Sequence, residues 1–174
     1  MTIRKATTED LQAICDIYEE VITLEEQGEL EVGWMRGVYP TREVAEASIG
    51  RGDMFVQEDE TGRIAGTGII NQLQVDCYSE GNWTYKAPDE EVMVIHTLII
   101  SGKTMGKGLG SEFVAFYEDY AKEHGCTVLR LDTNERNAAA RAFYKKHGYT
   151  EADMVPTVFN GIPGVNLVLL EKKL

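Results

Sequence analysis

The sequence predicts a mixed α/β fold, a twisted sheet with helices on both faces in the order βααβββαβαββ. Three observations predict it. Apolar residues recur at helical spacing from Leu11 to Leu24 and again from Leu109 to Tyr120. The run 91–100, EVMVIHTLII, is almost continuously apolar, as a strand buried on both faces requires. After Gly125, strand and helix patterns alternate to the C-terminus. A length of 174 residues suits one domain spanning 1–174.

Each element has a local reason. Residues 3–6 form a short strand. Thr7 and Asp10 then make a capping-box-like start, with Asp in place of the usual Glu or Gln. Leu11, Ile14, Ile17, Tyr18, Val21 and Leu24 follow on one helical face, stopped at Gly28. Pro40-Thr41 opens a second helix carrying Val44, Ala45 and Ile49 and ended by Gly50. Residues 53–59 and 63–74 read as a hairpin turned at Asp59-Glu60-Thr61-Gly62. The polar, aromatic segment 76–90 is a loop. A helix from 107 to 124 presents Leu109, Phe113, Phe116, Tyr117 and Tyr120 on one face. A strand at 127–133 and a helix at 137–147, stopped by Gly148, come next. Two strands, 153–159 and 165–172, flank the turn Asn160-Gly161-Ile162-Pro163-Gly164.

Composition narrows the function. An apolar fraction of 43% with 26% charged residues fits a globular chain, and no run of eighteen apolar residues predicts a membrane span. Met1-Thr2-Ile3-Arg4-Lys5 lacks the apolar stretch behind it that a secretory signal needs. Cys15, Cys77 and Cys126 are odd in number and far apart, so no metal site or redox pair is expected, and the compartment they suit is a reducing cytoplasm. A net charge of −12 repels nucleic-acid backbones and anionic lipid and attracts cations.

The chemistry concentrates in 100-ISGKTMGKGLGSEF-113. A nucleotide-binding Walker A loop would need glycine at 97, where Thr97 stands, and its helix would start directly after Thr104. A dinucleotide fingerprint would need a glycine where Ser111 stands. A third reading keeps the physics of both. Gly106, Gly108 and Gly110 join a buried strand to an amphipathic helix, so a phosphate can approach the backbone closely. The free amides of the first helical turn and the helix dipole then favour its charge, with Lys103 and Lys107 nearby.

The second motif, 131-LDTNERNAAARAFYKKHGY-149, is a strand end, a polar turn and a helix that Asn134 or Asn137 can cap. With both motifs in this order and spacing, the chain resembles the GNAT superfamily of N-acetyltransferases over most of residues 53–173. In that family a buried fourth strand leads into a loop, Arg/Gln-x-x-Gly-x-Gly/Ala, that binds the pyrophosphate of coenzyme A. Here the loop is Met105-Gly106-Lys107-Gly108-Leu109-Gly110, and the family's Asn, six residues, Tyr is matched by Asn137 and Tyr144. Met105 departs from the usual Arg or Gln, while the backbone amides remain.

The resemblance implies direct acetyl transfer from acetyl-CoA to an amine, without a metal. Splayed fourth and fifth strands would admit the pantetheine arm. Backbone at Leu98 and Ile100 would bind it, residues 106–111 would hold the pyrophosphate, and Asn137 and Tyr144 complete the cofactor set. Backbone N–H groups would stabilise the oxyanion as the amine attacks. Tyr144 is the implied general acid, since a phenol of pKa ~10 can protonate a thiolate whose conjugate acid lies near ~8.5. The base is His96 or Asp132, with a water relay or Glu90/Glu91 also open. Glu19, Glu20, Glu25, Glu26, Glu29 and Glu31 near Trp34 and Tyr39, with Tyr78, Trp83 and Tyr85, suit a cationic amine acceptor. The alternative is a coenzyme A-binding sensor or interaction module without turnover. An exposed C-terminal hairpin offers a surface for a homodimer.

Overall fold

The computed structural model describes residues 2–104 and 106–174. Its elements are β1 (Ile3–Lys5), α1 (Leu11–Glu26), α2 (Arg42–Arg51), β2 (Met54–Glu58), β3 (Ile64–Asn71), β4 (Val92–Ile100), α3 (Leu109–Glu123), β5 (Val128–Asn134), α4 (Ala138–Lys146), β6 (Thr150–Phe159) and β7 (Ile162–Lys173). This is the order read from the sequence. The strands make one seven-stranded sheet, β1-β2-β3-β4-β5-β7-β6, in which β4 and β5 are the parallel pair.

Alternation along the strands sends side chains to two cores. Met93, Ile95, Leu129 and Leu131 pack with Phe113 and Tyr117 of α3 and Tyr144 of α4. Val92, Val94, Val128, Leu167 and Leu169 pack on the opposite face under Tyr78 and Trp83 of the 76–90 segment. On that same side α1 and α2 cover β2 and β3 through Ile14, Tyr18 and Ala45 against Met54, Val56 and Ile69.

Local ends differ from the sequence reading in physically readable ways. The first turn after Thr7 is a separate 3-10 helix, Thr8–Asp10, and α1 proper starts at Leu11. Gly50 stays inside α2. The stop is Gly52, whose φ of +75° supplies the left-handed cap. The last turn needs only Asn160 and Gly161, at φ +48° and +88°, so Ile162, Pro163 and Gly164 belong to β7. Strand β3 stops at Asn71 rather than 74, and β6 begins at Thr150 rather than 153. Strand β4 is buried on both faces only from Val92 to Ile95; His96–Ile100 are half-buried because β5 has diverged from them.

The N-terminal strand is tied to the first helix by one carboxylate. Asp10 accepts from both ends of the Arg4 guanidinium, at 2.7 and 2.9 Å, and from the Thr7 N–H at 2.8 Å. The Arg4 hydrogen bonds lower its pKa from 3.8 to about 2 against the opposing effect of burial. The stabilisation is therefore full above pH 3.8 and lost as pH falls towards 2. Asp10→Asn is expected to cost about 1–2 kcal/mol at pH 7, read as a lower urea midpoint, with the gap from wild type closing through that acid window.

Candidate active site

The β4–β5 pairing lasts only for Val92↔Val128, Met93↔Leu129 and Val94↔Arg130. Beyond it the strands part, and a cleft of about 1030 Å³ opens between them. A second irregularity aims its wall. Between Thr67 and Ile69 of β3, β4 carries one extra residue, and Thr97 at the bulge has φ +53°. The Tyr39 hydroxyl pairs with the Thr97 hydroxyl across this point. Strained backbone of this kind needs surrounding structure to hold it.

The backbone of the outer half of β4 is directed at the gap. Ser101 N–H donates to the Ala65 carbonyl at 2.8 Å, so Ile100, the preceding residue opposite Gly66, turns its own N–H and C=O away from β3. Leu98 lies at the bulge, without a register partner on β3. Both residues line the cleft.

The glycine loop closes one end. Gly108 is the N-cap of α3 at φ +83°, and Gly106 has φ +81°. A Cβ added at either would meet no atom within 4 Å, so the space over the loop is open. The first amides of α3 have no intrahelical partner and point into it. Gly110 serves a different purpose: a Cβ there would lie only 3.3 Å from the Phe143 ring of α4, so its absence lets α3 and α4 pack closely. Gly106, Gly108, Leu109, Gly110 and Ser111 all line the cleft, whereas Lys107 is exposed and outside its wall. Ser111 is hydrogen-bonded to His147 Nε2 at 3.0 Å. Met105 lies outside the described residues.

Across the gap stands α4. Asn137 caps it by accepting from Ala140 N–H at 3.0 Å, while Asn134 accepts from Arg136 N–H in the preceding turn. Tyr144 is 8% exposed, lines the cleft, and its hydroxyl has no hydrogen-bond partner among the described residues. Burial, and then the charge of Asp132, raise its pKa, so the phenol keeps its proton through neutral pH.

Asp132 and His96 both line the cleft, on the side of the sheet away from α4. Asp132 accepts from the Tyr78 hydroxyl at 2.7 Å. Burial raises its pKa to about 6, against the pull of that hydrogen bond. His96 Nε2 lies 3.0 Å from Asn71 Oδ1. Burial lowers its pKa to about 4, against the opposite effects of the Leu73 carbonyl and Asp53. Glu90 and Glu91 sit at the far end of β4, where Glu91 accepts from Thr127 at 2.8 Å, and neither lines the cleft.

Four of the six glutamates expected at the acceptor end are spent on the fold. Glu19 and Glu26 hold Arg36, Glu20 accepts from Gly102 N–H at 2.6 Å, and Glu25 accepts from Val32 N–H at 2.6 Å. None of the six glutamates lines the cleft. Trp83 is likewise occupied, covering Arg130 at 4.2 Å. The carboxylates that do line the cleft are Glu43, Asp76 and Asp132, beside Trp34, Tyr39 and Phe159. Sequence reading missed Asn71, Asp76 and Glu43, because nothing local marks a residue as facing a cleft. Among the described residues, no group of three metal-binding side chains gathers, and no helix is long and apolar enough to cross a membrane.

Comparison with known proteins agrees with this geometry. The profile of the Acetyltransferase (GNAT) family matches residues 13–149. The uncharacterised N-acetyltransferase MJ1207 of Methanocaldococcus jannaschii is 30% identical over 49% of this chain and 36% of its own length. YhfO of Bacillus subtilis, an uncharacterised N-acetyltransferase, is 29% identical over 36% of this chain and 42% of its own length. The chain thus spans less than half the length of these two relatives. Among solved structures, the ribosomal-protein-alanine N-acetyltransferase of Brucella melitensis superposes with a TM-score of 0.72 at 19% identity, covering 100% of both chains. YncA of Salmonella typhimurium, solved with its cofactor acetyl-CoA, gives 0.71 at 20% identity over 99% of this chain and 93% of that one. At these identities the structural likeness is one of fold.

Proposed function

The chain belongs to the GNAT acetyltransferase family, and on that premise we propose that it moves an acetyl group from acetyl-CoA to a primary amine by direct attack on the thioester. The observation that carries this is the parting of β4 and β5 beyond Val94, which opens one cleft onto both the first amides of α3 and the Tyr144 hydroxyl, which has no hydrogen-bond partner among the described residues. The pyrophosphate sits over Gly106, Gly108 and the first turn of α3. The pantetheine arm enters the gap beside Leu98 and Ile100, with Asn137 and Tyr144 on its other side. The amine comes from the opposite face, past Tyr39 and Thr97. Its lone pair attacks the carbonyl, the C–S bond breaks, and Tyr144 protonates the departing thiolate.

Of the two base candidates, Asp132 fits better. A base works best with a pKa near the working pH, and Asp132, at about 6, is closer than His96, at about 4. The amine N–H proton passes to the Asp132 carboxylate. A base must be deprotonated to act, so kcat/KM should rise with pH through about 6 and then level off. Asp132→Asn should remove that acid limb and lower the plateau at least tenfold. If the limb survives in Asp132→Asn and disappears in His96→Gln, the base is His96.

The acceptor class follows from the wall that is left. Glu43 and Asp76 stand at the rim, and Arg51, the nearby cation, is held by Asp53 at 2.8 Å. An amine carrying a second positive charge and an apolar body suits that surface. The test is amine-dependent release of free thiol from acetyl-CoA across a panel of cationic, neutral and acidic amines. Saturable acetyl-CoA binding with no thiol release from any amine would make the protein a coenzyme A-binding sensor instead.

A further inference from the structure

A neutral imidazole holds one proton on one of two nitrogens, and the hydrogen-bond network decides which. At His96 the network is closed on one side. Its Nε2 faces Asn71 Oδ1 at 3.0 Å. The Asn71 amide cannot be turned round, because two bonds fix it. Its Nδ2 donates to Asp53 Oδ2 at 2.9 Å, and its Oδ1 accepts from Leu73 N–H at 2.9 Å. Rotation would set an amide oxygen against a carboxylate and an NH₂ group against an N–H. Asp53 is itself buried and gripped by Arg51, through Nε at 2.8 Å and a terminal nitrogen at 3.3 Å, so its carboxylate only accepts. An amide oxygen also only accepts. The proton between Asn71 and His96 must therefore belong to His96 Nε2. Burial keeps the ring neutral at pH 7, so that proton is its only one. Besides Asn71, the ring is faced by the Leu73 carbonyl, which also only accepts, and the charged groups that bear on it are Asp53 and Arg51.

We infer that Asn71 is a positioning residue: it fixes the His96 proton on Nε2 and leaves Nδ1 as the ring atom that accepts a hydrogen bond from the incoming amine. This rests on the reading of the cleft as an acetyl-transfer site. The division of labour is chemically sensible. An attacking amine needs one N–H held so that its lone pair faces the carbonyl, and a neutral acceptor does this without trapping the proton. Asp132, on the neighbouring strand, then receives the amine's other N–H proton, and the one held by His96 stays on the amide nitrogen. The relay Arg51–Asp53–Asn71–His96 sets the acceptor from the end of α2 and the C-terminal end of β3, remote from the coenzyme loop.

The first arm of the test needs no turnover. Two-bond ¹H–¹⁵N spectra of the full chain labelled with [¹⁵N]histidine resolve its three histidines, and His96→Gln identifies the His96 signals. The expected result from pH 6 to 8 is the Nε2-protonated pattern; an Nδ1-protonated or imidazolium pattern overturns the proposal. The second arm is Asn71→Leu, with no acceptor at that atom. It is expected to give a mixture of tautomers and to raise KM for the best amine about tenfold, with KM for acetyl-CoA within twofold. An unchanged tautomer or an unchanged amine KM overturns the proposal. Should no amine be turned over at all, the acetyl-transfer reading fails while the spectra still report on the Asn71 lock.

Discussion

Gly108→Val is expected to weaken acetyl-CoA binding about a hundredfold, or ~2.7 kcal/mol, by calorimetry. Gly108 has φ +83° at the N-cap of α3, where a β-branched residue is strained by roughly 1–2 kcal/mol. Relief of that strain re-aims the amides that follow. The added side chain clashes with nothing in the protein, since no atom lies within 4 Å of a Cβ built there. The space it takes is the space proposed for the pyrophosphate. One or two lost charge-assisted hydrogen bonds, each about 1.5–3 kcal/mol, reach the expected loss. Gly125→Val is the matched control. Gly125 follows α3 at φ +75°, is equally open, and lies at the helix end remote from the loop. It should lose similar stability and keep acetyl-CoA affinity within twofold. Equal affinity loss in both variants would reduce the glycine loop to a structural turn.

The order of elements was legible because each one carries its own periodic pattern and its own stop. Phe113 and Tyr117 in α3 and the apolar run of β4 declare a buried interface without tertiary information. The glycine loop was legible for a similar reason, since glycine spacing before an apolar helix is a local signal. The acceptor end was not. Six glutamates close in sequence suggested a cation site, yet Glu19 and Glu26 hold Arg36, and Glu20 and Glu25 accept backbone N–H groups. Unpaired donors at helix ends and turns recruit nearby carboxylates, and nothing in the sequence shows which donors will lack partners. The half-exposed outer part of β4 was hidden too. Whether an apolar strand is covered depends on its neighbour, and β5 leaves β4 after Arg130.

Tyr144→Phe should lower kcat at least tenfold while leaving acetyl-CoA affinity within twofold. The substitution removes one oxygen from a residue whose ring packs in the core with Tyr117 and Tyr149, so the packing survives. No hydrogen bond among the described residues reaches that oxygen, so its loss leaves no partner unsatisfied and little stability is at stake. What it removes is the proton for the leaving thiolate. Burial and Asp132 both hold that proton on the phenol, and Asp132 is also the proposed base. The two roles reinforce each other: the ionised Asp132 that accepts the amine proton is the charge that keeps Tyr144 protonated. Asp132→Asn should therefore remove the acid limb while Tyr144, still buried, keeps its proton across the working pH range. Turnover unchanged in Tyr144→Phe, under conditions where chemistry limits the rate, would leave Tyr144 with packing alone and the thiolate to be protonated by solvent.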